Sequence, residues 1–320
     1  MDVLKRVLIG LLGCALASAA CAQTYPSKPI RMIVGIAPGG GLDTGARQIA
    51  AEVSQVLGQQ LVVENRPGAG TTIASAAVAA AAPDGYTLQY AETSLLIAPS
   101  LYKNLPFDPV KSFTAVCGVG WETLAVVVNA AVPARNTAEL IALLKANPGK
   151  YSYGSPGVGT AHHLAMEMFK SQARVDIVHI PYKGASQYMP DLASGVLPVA
   201  VASITSTLPL VKTGKLRAIA LTRPIRLALV PDWPTLAETL PGFDAAPSFF
   251  ILAPAGTTGD VVARLAEAFK KAVSTEDLKR SFAERGATAE FIPTDVLAAS
   301  IDADVRKWGA VARAAGVKAE

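Results

Sequence analysis

The sequence is poor in cysteine, histidine, aromatic residues and charge. Its 320 residues include three cysteines and three histidines, and only 6% are aromatic and 17% charged. So few cysteines exclude a disulfide-rich scaffold. With 29 basic and 25 acidic residues, the net charge of +4 is too small and too dispersed for a nucleic-acid-binding surface. Since 51% of the residues are apolar, the chain can bury a core and is not predicted to be disordered.

The first 22 residues have the pattern of an export signal. Lys5 and Arg6 precede an apolar run over residues 7–17, and Ala20-Cys21-Ala22 matches a signal-peptidase cleavage motif. The run is well short of the ~20 residues that a membrane-spanning helix needs, and no later stretch supplies them without interruption. We therefore expect residues 1–22 to be a cleavable signal peptide and the mature protein to be periplasmic. The alternative is a lipoprotein acylated at Cys14, since Leu11-Leu12-Gly13-Cys14 is similar to a lipid-attachment box.

In the remainder of the chain, short apolar runs typical of β-strands alternate with helical periodicity. One helical face, for example, combines Ala46, Ile49, Ala50, Val53 and Leu57. This alternation predicts an α/β fold with mostly parallel sheets covered by helices, most simply two sheets at this length. In such sheets ligands bind at the carboxyl ends of the strands. The predicted strands span residues 30–35, 61–64, 86–90, 123–129, 150–153, 176–181, 197–202, 216–221 and 249–252.

Two glycine-rich junctions between a strand and a helix are the strongest local signals. At residues 36–47, three successive glycines let the backbone approach a ligand, and the next helix directs free N–H groups toward it. Thr44 stands where a dinucleotide fingerprint needs glycine, and Asp43 is expected to cap the helix. A second junction at residues 153–163 combines glycines with hydroxyl groups. One such junction in each predicted domain suggests one ligand held from both sides.

Evidence for catalysis or a metal is weak. His163 and Glu167 are four residues apart, but His179 is the only other nearby candidate and no carboxylate cluster accompanies it, so we predict no metal site. The sequence lacks a G-x-S-x-G motif, and Cys117 lies in an apolar run typical of a buried thiol. We predict no cofactor. Because catalytic groups assemble in space, an exported hydrolase or isomerase using Ser155 remains an alternative, as does a receptor that signals without transporting.

Several stretches, taken in order, resemble one family: the solute-binding proteins of tripartite tricarboxylate transporters, called the Bug or TctC-like family. The resemblance implies a two-lobed, type II periplasmic binding protein that closes like a Venus flytrap, with a mixed, mostly parallel sheet in each lobe. It also implies a monomeric receptor without catalytic activity that captures a small carboxylate and delivers it to two integral-membrane subunits. The stretches are YPSKPIRMIVGIAPGGGLDTGAR, VVENRPGAG, PDGYTL, PSLYKNLPFDPVKSF, YGSPGVGTAHHL, VDIVHIPYKGA, VKTGKLRAIALT, VPDWPTLAE, PGF and LAPAGT.

The resemblance also places the lobes and the ligand. It implies one lobe from residues 23–121 and 248–320 and a second from residues 122–247. Backbone N–H groups, ordered water and hydroxyls would hold the carboxylate, so no formal cation is required. The implied ligand contacts are Pro38, Gly39, Gly40, Gly41, Asp43, Thr93, Ser94, Ser155, Gly157, Gly159, Thr160 and Ser203.

Three departures from the family pattern concern the ligand. Ala202 replaces an Asp common in relatives, which argues against recognition of an ammonium group at that position. Ser248 replaces a Trp, which would enlarge the mouth of the cleft or make it more polar. Glu92 lies in a loop that is usually small and neutral, and it would repel a second carboxylate if it pointed inward. We expect Glu92 to point to solvent instead.

Overall fold

A computed structural model describes residues 25–39 and 41–317. The predicted signal peptide of residues 1–22, the alternative lipid-attachment residue Cys14, and Gly40 lie outside the described residues. Within the described ranges, no helix combines the length and the apolar character of a membrane span.

The described chain contains eleven strands and ten α-helices. In chain order the strands are β1 (Ile30–Val34), β2 (Leu61–Asn65), β3 (Thr87–Glu92), β4 (Phe113–Glu122), β5 (Leu124–Asn129), β6 (Ser152–Ser155), β7 (Val178–Pro181), β8 (Val199–Ser203), β9 (Leu216–Leu221), β10 (Ser248–Pro254) and β11 (Ala287–Ile292). The helices are α1 (Gly41–Leu57), α2 (Thr72–Ala79), α3 (Ser94–Leu101), α4 (Thr137–Ala146), α5 (Ala161–Ala173), α6 (Ala185–Ser194), α7 (Ile204–Lys212), α8 (Gly259–Val273), α9 (Glu276–Glu284) and α10 (Thr294–Ala314).

The strands form two mixed sheets, one in each of two lobes. The six-stranded sheet has the order β11-β4-β10-β3-β1-β2, and the five-stranded sheet has the order β7-β6-β8-β5-β9. The predicted α/β fold with two sheets is confirmed, but antiparallel pairs are more frequent than predicted. β10 runs antiparallel to both β3 and β4, and β5 runs antiparallel to both β8 and β9. β10 and β5 are the strands by which the chain enters each sheet from the other lobe. For this reason they run opposite to their neighbours.

All nine predicted strands are present, with ends shifted by up to two residues. The sequence does not predict β4 and β11. β4 contains two glycines and pairs irregularly with β10, whereas β11 is an edge strand with mostly half-buried side chains. β11 therefore lacks the strict alternation by which strands are recognised, and the apolar run of β4 around Cys117 is interrupted by Gly118 and Gly120.

The chain crosses between the sheets at two adjacent points. Only Thr123 separates the end of β4 in one sheet from the start of β5 in the other. The return crossing runs into β10, and the amide of Glu122 donates a hydrogen bond to the carbonyl of Pro247 at 2.8 Å. The amide of Thr123 donates to the carbonyl of Gly286 at 3.1 Å. The end of β4, the start of β10 and the start of β11 therefore meet between the lobes.

Buried side chains pack on both faces of each sheet. One cluster joins α1, α8 and α9 to the six-stranded sheet, and another joins α6 and α7 to the five-stranded sheet. A third cluster extends across both lobes. It includes α10, in which Trp308 is fully buried and which packs against α3 of one lobe and α5 of the other. The lobes are therefore joined by α10 as well as by the two crossings.

Gly120 allows β11 to lie close to β4. Its φ is +151°, and a β-carbon there would lie 2.2 Å from the carbonyl oxygen of Thr288. We predict that Gly120→Ala lowers the free energy of unfolding by about 1–3 kcal/mol, because the backbone is strained and β11 must move. Urea unfolding measures this change.

The matched control is Gly259→Ala at the first residue of α8. Gly259 has an ordinary φ, and a β-carbon added there would have no other atom within 4 Å. We expect a change of less than about 0.5 kcal/mol in the free energy of unfolding. Equal stability of the two variants would contradict the close pairing of β4 with β11.

Candidate functional site

A cavity of about 440 Å³ lies between the lobes, and we call it the interlobe cavity. Glu92, Glu122 and Ser203, the last residues of β3, β4 and β8, all line it. The carboxyl ends of strands from both sheets therefore meet there, where ligands bind in folds of this class. The lining residues are Ile36, Leu42, Gly45, Tyr90, Glu92, Glu122, Ala185, Ser203, Thr205, Ser206, Phe249, Phe282, Arg285 and Ala287.

Aromatic rings form the apolar part of the interlobe cavity. Tyr90 stacks on Phe249 with ring centres 5.9 Å apart, and Phe249 contacts Phe282 edge to face at 6.5 Å. Gly45 of α1 lies against them, because a β-carbon there would be 3.3 Å from the Tyr90 hydroxyl and 3.6 Å from Phe282. The absence of a side chain at Gly45 thus leaves room beside the rings.

Arg285 places a cationic donor at the interlobe cavity. Its Nη2 donates a hydrogen bond to Oε1 of Gln48 at 2.6 Å, and its guanidinium lies 5.0 Å from the centre of the Phe282 ring. Nη1 is buried and has no hydrogen-bond partner among the described residues. Burial lowers the pKa of Arg285, but a guanidinium remains charged at physiological pH. Arg285 therefore has an unpaired donor and lines the interlobe cavity.

Two carboxylates also line the interlobe cavity, and each is held by a serine. The Ser94 hydroxyl donates to Oε1 of Glu92, and the Ser203 hydroxyl donates to Oε1 of Glu122 at 2.5 Å. Burial raises the pKa of Glu92 to about 7, with a further contribution from the charge of Glu122, while the hydrogen bond from Ser94 opposes the shift. The prediction that Glu92 points to solvent is wrong, because the end of β3 directs it toward the space between the lobes.

Asp43 holds the loop before α1. Its carboxylate is 2% exposed and accepts hydrogen bonds from the Gly39 amide at 2.9 Å, from Arg47 Nε at 3.0 Å and from Asn65 Nδ2 at 2.7 Å. Burial would raise the pKa of Asp43, but these hydrogen bonds and the charge of Arg47 hold it below its ordinary value. Because its oxygens are occupied, Asp43 orders the loop instead of presenting a free carboxylate to a ligand.

The other predicted contacts of the first lobe have mixed positions. Pro38 is exposed on the loop before α1, and Gly41 begins that helix. Thr93 is buried, and its hydroxyl accepts a hydrogen bond from the Ser248 amide at 2.8 Å and shares another with the Ser248 hydroxyl at 3.3 Å. The hydroxyl of Ser94 is engaged by Glu92. The Ser94 proton is therefore used within the protein, and the buried Thr93 hydroxyl is bonded to Ser248.

The loop after β6 is organised by a cluster that we call the buried histidine cluster. It consists of the buried residues Tyr153, Ser155, His163 and Glu167 and the half-buried His179. The rings of His163 and His179 stack 3.9 Å apart, and Ser155 Oγ shares a hydrogen bond of 2.7 Å with His179 Nε2. Tyr153 donates to Glu167 at 2.7 Å. The cluster fixes the predicted ligand loop from the side of the core.

The residues of this loop bond mainly to one another. Thr160 caps α5 by accepting a hydrogen bond from the His163 amide at 3.3 Å and donates to the carbonyl of Gly157 at 2.9 Å. The Gly159 amide donates to His163 Nδ1 at 3.0 Å. Ser155 is fully buried, so its contact with His179 is not open to a substrate.

The structure therefore brings few of the predicted contacts to the interlobe cavity. Among the described residues, Ser203 is the one predicted contact that lines the cavity, whereas Glu122 and Arg285 were not predicted. Arg285 follows α9 in a segment without a motif, and Glu122 ends a strand that was not predicted. In the described ranges, no group of three or more His, Cys, Asp or Glu side chains is arranged to hold a metal ion.

Comparison with known proteins gives a consistent result. The family model described as "Tripartite tricarboxylate transporter family receptor" matches residues 45–317. Protein BugT of Bordetella pertussis is 34% identical over 319 residues, which covers 97% of this chain and 98% of that protein.

Solved structures of similar proteins share the fold. Periplasmic binding protein BugD is 32% identical with a TM-score of 0.76, covering 92% of this chain and 100% of that chain. A protein of R. palustris solved with adipate is 29% identical, with a TM-score of 0.78 and coverage of 92% and 99%. MatC from Rhodopseudomonas palustris, with bound malate, is 28% identical, with a TM-score of 0.75 and coverage of 90% and 99%.

The buried histidine cluster predicts acid sensitivity. Burial lowers the pKa of both His163 and His179 from 6.5 to about 4, with further lowering of His163 by Lys170 and of His179 by His163. The unfolded chain therefore binds more protons than the folded chain as the pH falls from 6.5 to 4, and stability decreases over this window.

We predict that His179→Gln, which removes one of these groups, gives a shallower loss of stability between pH 6.5 and 4. Urea unfolding measures the free energy of unfolding of the unmodified protein and of the variant across this pH range. The value of each protein at neutral pH is its own reference. Parallel pH dependence of the two proteins would contradict the assignment.

Proposed function

Since the chain belongs to the tripartite tricarboxylate transporter receptor family, we propose that it binds a small organic acid in the interlobe cavity and delivers it to membrane transport subunits. The observation that carries the proposal is the unpartnered, buried Nη1 of Arg285 at this cavity. A carboxylate there would satisfy a donor that otherwise lacks a partner among the described residues, and hydrogen bonds with a charged donor are among the stronger ones.

The proposed mechanism is closure of the two lobes over the acid. The lobes are residues 23–121 with 248–320 and residues 122–247, and the adjacent crossings at Glu122 and Pro247 supply the hinge. The interlobe cavity takes lining residues from both sides, including Tyr90 from one and Ser203 from the other. Closure would thus bring groups of both lobes onto one ligand.

The cellular setting follows from the same family. We propose that the protein is exported to the periplasm by residues 1–22, acts as a monomer without catalytic activity, and presents its acid to two integral-membrane subunits. The exported-hydrolase alternative loses its main support because Ser155 is fully buried. In addition, His179 has no hydrogen bond to a carboxylate among the described residues, so no carboxylate orients it as a general base.

A thermal-shift screen of the mature protein against mono-, di- and tricarboxylates tests the proposed function. A ligand present at about 100 times its Kd adds ~2.7 kcal/mol to the free energy of unfolding. We expect a clear increase of the unfolding temperature with at least one acid and recovery of that acid unchanged. An acid that is chemically converted would favour the enzyme alternative, and no shift with any acid would contradict the proposal.

Arg285 is the predicted anchor of the carboxylate. We expect Arg285→Gln to weaken binding of the identified acid by about tenfold or more, because a charge-assisted hydrogen bond is lost. Isothermal titration calorimetry measures the change. Arg280→Gln in α9 is the matched control, since Arg280 is exposed and pairs with Asp277. Equal affinities of the two variants would contradict the role of Arg285.

A further inference from the structure

We propose that Gly45, Tyr90 and Arg285 form the pocket that receives the carboxylate of the bound acid, with the Tyr90 hydroxyl as a second donor beside Arg285. Gly45 determines whether this pocket is open, because a side chain at that position would fill it. The inference rests on the proposed function, since it concerns the same acid. It follows from the distances around the position that a side chain of Gly45 would occupy.

Three groups surround the point where a β-carbon of Gly45 would lie. The Tyr90 hydroxyl is 3.3 Å from this point, Cζ of Phe282 is 3.6 Å from it, and Nη2 of Arg285 is 3.9 Å from it. All four residues line the interlobe cavity. We call the space beside Gly45 that these groups enclose the Gly45 pocket. Two hydrogen-bond donors, one from β3 and one from the residue after α9, therefore approach the same small space in the cavity wall.

The helix itself does not require a glycine at position 45. Gly45 is the fifth residue of α1, and its φ lies outside the left-handed region that favours glycine. Within a helix, glycine is less favourable than alanine. What glycine provides at this position is therefore the space beside the side chains of Tyr90 and Phe282.

The Tyr90 hydroxyl is a buried donor without a partner. Tyr90 is 1% exposed, and its hydroxyl makes no hydrogen bond to any described residue. Burial raises its pKa, and the charge of Arg285 opposes this shift while those of Glu122 and Glu92 add to it. The hydroxyl is therefore protonated at neutral pH and can donate. Because buried polar groups are nearly always hydrogen-bonded, a ligand oxygen in the Gly45 pocket would supply the missing partner.

Arg285 has donors left for the same carboxylate. Nη2 carries two N–H groups, and Gln48 accepts from one of them at 2.6 Å. Gln48 follows Gly45 by three residues in α1, so this helix holds the guanidinium next to the Gly45 pocket. A carboxylate has two oxygens that each accept hydrogen bonds, and a bond from a guanidinium is charge-assisted. One oxygen would bond to Arg285 and the other to Tyr90.

Calorimetry with benzoate, succinate and citrate tests the inference on variants of the Gly45 pocket. These probes carry one, two and three carboxylates, and if none binds, the acid with the largest thermal shift replaces them. For each acid that the unmodified protein binds, we expect Tyr90→Phe to weaken binding about tenfold, as loss of a hydrogen bond to a charged group implies. We expect Gly45→Ala to weaken binding at least as much, because the added methyl group occupies the pocket.

Urea unfolding separates a blocked pocket from a packing defect. Gly45→Ala should keep or raise the urea midpoint, because alanine favours the helix, while binding is weakened. The matched control is Gly309→Ala in α10, where a β-carbon would lie 3.2 Å from the Ser100 hydroxyl. Gly309 is also within a helix and is not among the lining residues of the interlobe cavity. We expect this control to bind each acid as the unmodified protein does.

A double-mutant cycle tests whether Tyr90 and Arg285 bind one carboxylate. In an Arg285→Gln background, Tyr90→Phe should weaken binding by less than about threefold, because residues that share a partner are coupled. A full tenfold loss in that background would show that Tyr90 acts elsewhere and would overturn the inference.

The remaining outcomes separate the inference from the proposed function. Unmodified affinity in either Tyr90→Phe or Gly45→Ala would overturn the inference and leave the proposed function standing. Absence of binding of every acid to the unmodified protein would overturn both. If Gly45→Ala does not fold, Tyr90→Phe and the cycle with Arg285 decide the question.

Discussion

Ionisable groups that are partly removed from water need partners, and the interlobe cavity contains three, Arg285, Glu92 and Glu122, that do not pair with one another. Arg285 is held by Gln48, Glu92 by Ser94 and Glu122 by Ser203, so each charge is positioned by a neutral side chain. Among the described residues, Nη1 of Arg285 is buried without a hydrogen-bond partner. Burying such a group without a partner costs free energy. A ligand of complementary charge would reduce this cost by pairing with the group. The proposed acid would therefore enter a cavity in which these side chains are already held in place.

The topology explains how residues far apart in sequence reach one cavity. β10 returns from the second lobe and inserts between β3 and β4, which aligns the end of β3 with the end of β4. β11 then pairs with β4 so that Ala287 lies opposite Glu122 and brings the preceding Arg285 to the same edge. The two crossings that permit this arrangement also form the proposed hinge. The hydrogen bond between Ser203 and Glu122 lies at the first crossing, because Leu124, two residues after Glu122, pairs with Ser203.

Sequence patterns predicted most of the strands, whereas among the described residues only Ser203 of the predicted ligand contacts lines the interlobe cavity. Apolar runs identified nine strands, and the glycine-rich junctions correctly placed turns before α1 and α5. The hydroxyls of Thr93 and Thr160 were expected to face a ligand, but they bond to the backbone of the protein. The sequence does not show which group a hydroxyl bonds to, because the candidate partners come within hydrogen-bond distance only when the chain folds. Arg285 was missed for a related reason: its approach depends on the pairing of β11, a strand without a clear pattern.

The most direct test of carboxylate binding at Arg285 is a crystal structure of the protein with the acid that raises its unfolding temperature most. We predict that the acid lies between the two sheets, with its carboxylate within about 2.7–2.9 Å of a guanidinium nitrogen of Arg285. A carboxylate bound instead by the loop of residues 155–160, with Arg285 still bonded to Gln48 alone, would contradict this arrangement.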